Sequence, residues 1–371
     1  MATIAHLANF YGPRSGGLRT TVNALAHEYE RCGHRTHIVV PSDRNHTSTK
    51  SGVTTHEIAS PRVPGSGGYR LIWRLRRVRE LLNDINPDAI ELSDRTTLIP
   101  ITDWARKRDV QTTLIAHERI DGVIRAFASA LNDIELADRL NLRAAQRVDH
   151  IVCTTRFAGQ EFDRLDVGYA LVPLGVDLAA FHPKRWSGLW REHFNAEVIV
   201  VLCSRLSKEK RPDFAIDVLD SLTARGVDAH LVIAGAGPLE DEIRRRMTSK
   251  PASMLGFVEN RDELARMLAS ADILLAPGPI ETFGLAALEA LASGTPVLAN
   301  ESSAVSEVSG SLCGLALPLE ATAWANGVME LTSRVGVREL ARERASEFSW
   351  PRTAARMLAL QGLASRIDEF A

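Results

Sequence analysis

Short apolar runs alternate along this chain with longer stretches in which apolar residues recur every three or four positions. The runs, bounded by turn residues, fit buried strands, and the longer stretches fit helices packed on one face. In the first half the pattern predicts strands near Thr3–Ala8, Thr36–Val40, Ala89–Leu92, Thr112–Ala116 and Ile151–Thr154. Helices are predicted between them, for example Thr20–Arg31, ended by Gly33, and Arg70–Asn83, followed by Pro87. Turn residues in Pro173–Asp177 and Phe181–Pro183 break the rhythm and read as a linker. A fresh series follows, with strands at Val198–Cys203, His230–Ala234, Ile273–Ala276 and Pro296–Ala299. Such alternation builds parallel sheets covered by helices, so an α/β chain of two Rossmann-like domains is expected, 1–175 and 176–351. After Trp350-Pro351 an amphipathic segment runs through Ile367, with Ala354, Met357, Leu358, Leu360 and Leu363 able to share one face. Periodicity does not say on which domain it packs.

Composition narrows the class. With 371 residues, 45% hydrophobic and 24% charged, the chain is long enough for large cores without disulfide or metal staples. Forty-four basic against forty-six acidic residues leave a net charge of −2, which argues against a nucleic-acid partner. Cys32, Cys153, Cys203 and Cys313 lie far apart, with no zinc-ligand spacing, and read as small core residues in a reducing compartment. The opening residues lack the basic and apolar regions of a signal peptide, and no apolar run is long enough to span a membrane. A cytoplasmic protein is expected.

Candidate chemistry collects at predicted strand ends, where open α/β sheets bind ligands. Gly16 and Gly17 follow the first strand and open a helix, whose free N–H groups suit an anion. The spacing is not that of a dinucleotide fingerprint. Arg205 and Lys210 follow the strand Val198–Cys203 and can converge on phosphate. Gly235 and Gly237 would let the backbone approach a base or ribose. After the strand Ile273–Ala276, Pro277-Gly-Pro279 makes a rigid turn, and Thr282 is a plausible N-cap for a helix running to Leu291. Glu281 then sits in the preceding loop and Glu289 in the helix, while Phe283, Gly284 and Leu285 offer N–H groups. Donors for an anion, a carboxylate for sugar hydroxyls and a second for ribose are what a diphosphate-linked sugar requires. His117 ends another strand and can donate to a sugar hydroxyl or a developing charge.

Glu281 and Glu289, with seven residues between them, resemble the E-x7-E motif of the retaining GT4 glycosyltransferases, whose fold is GT-B: two Rossmann-like domains with an interdomain cleft. Gly16-Gly17, the Pro173–Asp177 linker, Arg205 with Lys210, and Gly235–Pro238 fall in that family's order. The resemblance implies an N-terminal acceptor domain and a C-terminal nucleotide-sugar domain, with the helix 352–371 crossing back to the first. It also implies that Arg205 and Lys210 hold the donor diphosphate, that Glu281 contacts the transferred sugar and that Glu289 holds the ribose. His117, at the matching position, would serve the sugar and the active site. No D-x-D triplet is present, and by family implication no metal or other cofactor is required. Cations and helix N–H groups would stabilise the leaving diphosphate. Front-face attack, with the diphosphate accepting the acceptor's proton, needs no protein nucleophile.

The segments Asn9–Arg19, Glu91–Arg95, His117–Arg119, Val172–Asp177 and Ala276–Pro279 are similar to the actinobacterial GDP-mannose-dependent phosphatidylinositol mannoside mannosyltransferases. That likeness implies α-1,6 addition of mannose to a dimannoside, with Arg14, Arg19, Asp94, Arg95 and Arg119 on the acceptor side. A UDP-sugar donor and a different acceptor remain alternatives, as do an inactive peripheral lipid-binding protein and a two-domain sugar-binding protein.

One stretch is locally basic. Leu71, Leu75, Val78 and Leu82 form a helical stripe, with Arg70, Arg74 and Arg77 on an adjacent face and Trp73, Arg76 and Arg79 nearby. Such a helix can lie on the anionic inner leaflet of a plasma membrane, or pack on a core with a solvated basic face. The lipid-linked acceptor implied by the resemblance favours the first.

Overall fold

The computed structural model describes residues 1–12, 16–63, 68–127 and 133–363. The chain divides into two units, Met1–Gly175 with the segment from Trp350 onward, and Val176–Ser349. The first ends inside the turn-rich stretch Pro173–Asp177.

The first unit is built on β1 (Thr3–Leu7), β2 (Arg35–Ser42), β3 (His46–Lys50), β4 (Val53–Ala59), β5 (Ala89–Leu92), β6 (Gln111–Ala116), β7 (His150–Cys153) and β8 (Ala170–Leu171). Among the described residues their order is β3-β4-β2-β1-β5-β6-β7-β8. All pairings are parallel except β3 with β4. Every residue of β1 and of β5 is buried, as central strands covered on both faces require. On one face, Val22 and Ala26 of the helix Gly17–Arg31 pack with Ile38, Val40 and Val53. On the other, Ile72, Val78 and Leu82 join Leu92, Leu98, Leu114 and Phe162.

The hairpin β3–β4 escaped the hydrophobic pattern. β3 reads His-Thr-Ser-Thr-Lys and is exposed throughout, so burial leaves no mark on its sequence. It is closed by Ser51 and Gly52, both with positive φ (50° and 86°), the geometry of a type I′ turn. The edge strand β8, only two residues long, escaped it as well.

The expected helix Arg70–Asn83 is shorter than its stripe suggests and spans Leu75–Ile85. Residues before Arg74 are held extended by side chains that capture their backbone. Asn9 Oδ1 accepts the Ile72 N–H at 2.7 Å, and Thr97 Oγ1 donates to the Ile72 carbonyl at 2.7 Å. Arg70 bridges to Arg62 and donates to the Ser60 carbonyl at 2.5 Å, which removes it from the basic helical face. Ile72 is fully buried while Trp73 is 61% exposed.

The helix Trp350–Leu360 packs on Gly17–Arg31, burying Thr353, Ala354, Met357 and Leu358. Thr353 donates to the Pro173 carbonyl at 2.9 Å. The end of the expected tail helix, from 364 on, lies outside the described residues.

The second unit carries β9 (Val198–Cys203), β10 (Ala229–Ala234), β11 (Ala252–Gly256), β12 (Ile273–Ala276), β13 (Val297–Asn300) and β14 (Gly314–Leu317), ordered β11-β10-β9-β12-β13-β14 and wholly parallel. β11 and β14, at the edges and only partly buried, were not foreseen from the apolar runs. Trp324 fills the core edge-on to Phe214, 5.2 Å between ring centroids, and donates to the Pro318 carbonyl at 2.7 Å. All four cysteines are free; Cys153 and Cys313 are buried as expected, whereas Cys32 and Cys203 are only partly so.

Asn9 knots three segments, since its Nδ2 also donates to Asp94 (3.0 Å) and Thr97 (2.9 Å). Asn9→Ala strands the Ile72 N–H and removes a donor from buried Asp94. Each buried polar group left without a partner costs about 1–3 kcal/mol, so a loss of about 2–4 kcal/mol is expected. Thermal melting of parent and variant checks this; an unchanged midpoint would contradict it.

Candidate active site

In a parallel sheet the carboxyl ends of neighbouring strands lie along one edge, so the loops after β9, β10 and β12 are neighbours. The first two are zipped together. Leu206 N–H donates to the Ala236 carbonyl at 3.1 Å, and Leu239 N–H to the Leu206 carbonyl at 3.0 Å. This explains the glycines differently from the sequence reading. A Cβ on Gly235 (φ +154°) would lie 1.8 Å from the Ser204 carbonyl oxygen, and one on Gly237 2.4 Å from that of Leu206. The space left by the missing side chains is filled by the adjacent loop, which carries Arg205.

The Pro277–Pro279 turn rests on the short 3₁₀ turn Lys208–Lys210, where a Cβ on Gly278 would be 3.0 Å from the Glu209 carbonyl oxygen. That contact sets Lys210 beside Glu281, and the ammonium donates to Glu281 Oε2 in a partly exposed ion pair. The following helix starts at Leu285, not after a Thr282 cap. Gly284 is the N-cap, with φ +84° and a Cβ position only 2.7 Å from Val305 Cγ2. No other residue meets both demands. The first-turn N–H groups are therefore those of Leu285, Ala286 and Ala287. Phe283 is buried edge-on to Phe348, and Thr282 is buried as well. Glu289 lies one turn into the helix, 9% exposed and 3.5 Å from Arg261. Burial pushes its carboxyl up to about 7, against the pull of Arg261 and with a further push from Asp177.

In the first unit Gly16 caps the helix Gly17–Arg31, and a Cβ there would meet nothing within 4 Å. Arg19 stands exposed in the first turn; Arg14 lies outside the described residues. Asp94 and Arg95, expected on the acceptor side, are buried and hold the loop itself. Asp94 accepts from the N–H groups of Thr96 (3.1 Å), Thr97 (2.9 Å) and Leu98 (3.0 Å). Arg95 donates to Glu161 (3.0 Å), Asn141 (2.6 Å) and the Glu118 carbonyl (2.5 Å). A guanidinium in a fold's interior needs this full set of acceptors. Arg119 is partly exposed, paired with Asp121 at 2.7 Å and stacked over Phe157.

His117, at the end of β6, is backed by a chain of polar side chains. Its Nε2 lies 2.9 Å from Ser93 Oγ, which lies 2.7 Å from His6 Nε2. His6 Nδ1 lies 2.8 Å from Glu91 Oε2, and Glu91 Oε1 accepts from Tyr29 (2.6 Å) and Gln361 (2.7 Å). Burial, with the charges of His6 and Arg95 adding to it, pushes His117 down to about 3, so the ring is neutral at physiological pH. Sequence reading passed over His6 and Gln361. The available signal was a histidine and a glutamate inside otherwise apolar strands, Thr3–Leu7 and Ala89–Leu92.

The basic segment keeps Trp73, Arg74, Arg76, Arg77 and Arg79 exposed, with Arg76 (2.9 Å) and Arg77 (3.4 Å) sharing Glu80. No helix among the described residues is long and apolar enough to cross a membrane.

Two parallel α/β units with strand-end loops of this kind define the GT-B architecture. Residues 16–175 match the family described as glycosyl transferase 4-like domain, and residues 191–347 that described as glycosyl transferases group 1. The chain belongs to the GT4 glycosyltransferases. It is 43% identical over 365 residues, 97% of this chain and 96% of the relative, to the GDP-mannose-dependent alpha-(1-6)-phosphatidylinositol dimannoside mannosyltransferase of Mycobacterium tuberculosis. It is 31% identical to the D-inositol 3-phosphate glycosyltransferase of Paenarthrobacter aurescens, over 53% of this chain and 51% of that one. Among solved structures, sucrose-phosphate synthase from Thermosynechococcus elongatus shares the fold, with a TM-score of 0.77 at 18% identity over 97% of this chain and 98% of that one.

A carboxyl raised from 4.5 to about 7 stays protonated in the folded protein while the unfolded chain ionises. Stability therefore falls as pH rises through that window and levels off above about 7, by roughly 2–4 kcal/mol. Glu289→Gln should remove this decline and melt above the parent at pH 8. Melting curves from pH 5 to 8 test it; parallel curves for the two proteins would refute the assignment.

Proposed function

We propose that this protein transfers α-mannose from GDP-mannose, with retention, to a phosphatidylinositol mannoside, by α-1,6 addition to a dimannoside. The near-full-length likeness to the mycobacterial mannosyltransferase carries this reading. The second unit receives the donor. Arg205 and Lys210 take the diphosphate, together with the N–H groups at the start of the helix Leu285–Ala292. Lys210 and Glu281 hold each other before the donor arrives. A diphosphate supplies Lys210 with a stronger anion and frees the Glu281 carboxylate to orient sugar hydroxyls. Glu289, once ionised, accepts from the ribose diol. Charge stabilisation by these groups calls for no metal. His117 serves the transferred sugar, Arg14, Arg19 and Arg119 bind the acceptor, and Asp94 and Arg95 hold the loop after β5.

A lipid-borne acceptor calls for access to a membrane surface. Trp73 with Arg74, Arg76, Arg77 and Arg79 forms the docking patch on an anionic inner leaflet, each cation adding about 1 kcal/mol of salt-sensitive attraction near the surface. The protein then works as a peripheral enzyme of the cytoplasmic face.

GDP-mannose should raise the melting temperature more than UDP-glucose does, and transfer should persist in excess EDTA. Glu281→Ala should abolish transfer while GDP still binds. Greater stabilisation by the UDP-sugar, or near-normal turnover of the variant, would overturn the corresponding assignment. Replacing Arg74, Arg77 and Arg79 together by Ser should weaken co-sedimentation with phosphatidylserine vesicles at low salt and leave GDP-mannose affinity unchanged. Parent-like vesicle binding would exclude this segment as the dock.

A further inference from the structure

Glu289 stands between a cation and an anion, and the cation is seated on a buried aromatic ring. We propose that Arg261 is a positioning residue of the nucleotide site: held on Phe181, it keeps Glu289 as the carboxylate that accepts from a ribose diol. Only the ribose rests on the function proposed above; the pairing of Arg261 with Glu289 does not.

The backbone and the side chain of Arg261 are fixed separately. Arg261 opens the helix Arg261–Ser270, which Asn260 caps, its Oδ1 accepting from the Asp262 (2.9 Å) and Glu263 (3.3 Å) N–H groups. The guanidinium lies over the Phe181 ring, 4.9 Å from its centroid, and 3.5 Å from Glu289 Oε1. A planar guanidinium can stack on a ring and face a carboxylate at once. Phe181 is fully buried and closes a tight turn, its N–H donating to the Asp177 carbonyl at 2.9 Å. Inside that turn Asp177 Oδ1 accepts from Ala179 (3.1 Å) and Ala180 (2.9 Å). Arg342 ties the turn to the end of the helix Leu285–Ala292. It donates to the carbonyls of Leu178 (3.0 Å), Phe181 (2.7 Å) and Ala292 (2.8 Å). The helix that carries Glu289 and the ring that seats Arg261 are thereby joined.

Burial favours the neutral form of Glu289 and Asp177 adds to it, while Arg261 opposes both, and the carboxyl settles at about 7. Cys203, at the end of β9, brings no charge, because burial and Glu289 push its thiol up to about 12. Glu307, Arg338 and Arg342, on the helices packed against that of Glu289, do not act on it. A diol offers two O–H donors, which favour an ionised acceptor over the neutral acid. Without Arg261, burial and Asp177 would leave Glu289 protonated at neutral pH, with one oxygen turned into a donor.

Calorimetry of GDP-mannose with the full-length protein, without acceptor, from pH 5.5 to 9 reads this directly, since a diphosphate diester does not titrate there. Affinity of the parent should rise severalfold with pH and level off above about 7. Arg261→Met keeps an apolar stem over Phe181 and removes the charge. Its plateau should start about one pH unit higher, with binding about threefold weaker at pH 7 and nearly equal at pH 9. Arg261→Lys should recover most of that shift. Asp177→Asn keeps an oxygen for Ala179 and Ala180 and should move the plateau the other way. The fall in melting temperature assigned to Glu289 should move along the pH axis with the same signs. An Arg261→Met variant with the parent's plateau, or weaker by one factor at every pH, would overturn the proposal and leave the role of Glu289 standing. Melting that shifts as expected, beside a Glu289→Gln variant that binds GDP-mannose like the parent at every pH, would overturn it from the other end, by removing Glu289 from the ribose.

Discussion

An acidic side chain placed at the centre of a sheet must have its polar atoms fully partnered, and much of the first unit is arranged around one such group. Glu91 sits in β5 with no exposed surface, between β1 and β6. Its partners arrive from three directions: His6 from the adjacent strand, Tyr29 from the covering helix, and Gln361 from the chain's return. Leaving such a carboxylate unpaired would cost several kcal/mol. The return of the chain at Trp350–Leu360 is thus not only apolar packing. It supplies a donor to a buried acid, and the same acid lies at the back of the site histidine.

The second unit solves a different problem, placing cations and carboxylates together on loops at the carboxyl ends of its strands. Lys210 and Glu281 neutralise each other across two loops, which avoids leaving either charge alone in a half-buried place. Glu289 is handled by protonation instead, with Arg261 only at 3.5 Å. The loops keep their positions through backbone contact at Gly235, Gly237 and Gly278, where a side chain would push the strands' ends apart.

Much of this was legible in the chain. Buried parallel strands are short apolar runs, and β1, β2, β5, β6, β7, β9, β10, β12 and β13 were all visible as such to within a residue or two. Amphipathic period showed most helices, and turn residues marked the break near Gly175. Edge strands were not legible: β3 is wholly exposed and polar, while β8, β11 and β14 bury too little to leave a pattern. Candidate site residues followed the same division. Arg205, Lys210, Glu281 and Glu289 could be named from their places at strand ends and from the E-x7-E spacing. Their pairing could not, because Lys210 and Glu281 are brought together by loops from two different strands.

Sequence alone determined the α/β class, the two-unit order and the residue types available for a diphosphate sugar, since these follow from local period and from motif spacing. Only the tertiary structure decided which polar residues face one another. It stopped the basic helix at Leu75, because Asn9 and Thr97, distant in sequence, capture the backbone of Ile72. It buried Asp94 and Arg95, expected on the acceptor side, in hydrogen bonds that hold their own loop, and it aligned His117 with Ser93, His6 and Glu91. Hydrogen bonds between residues 24 to 270 positions apart leave no periodic trace in a chain, because their partners are chosen by the packing of strands and not by their spacing.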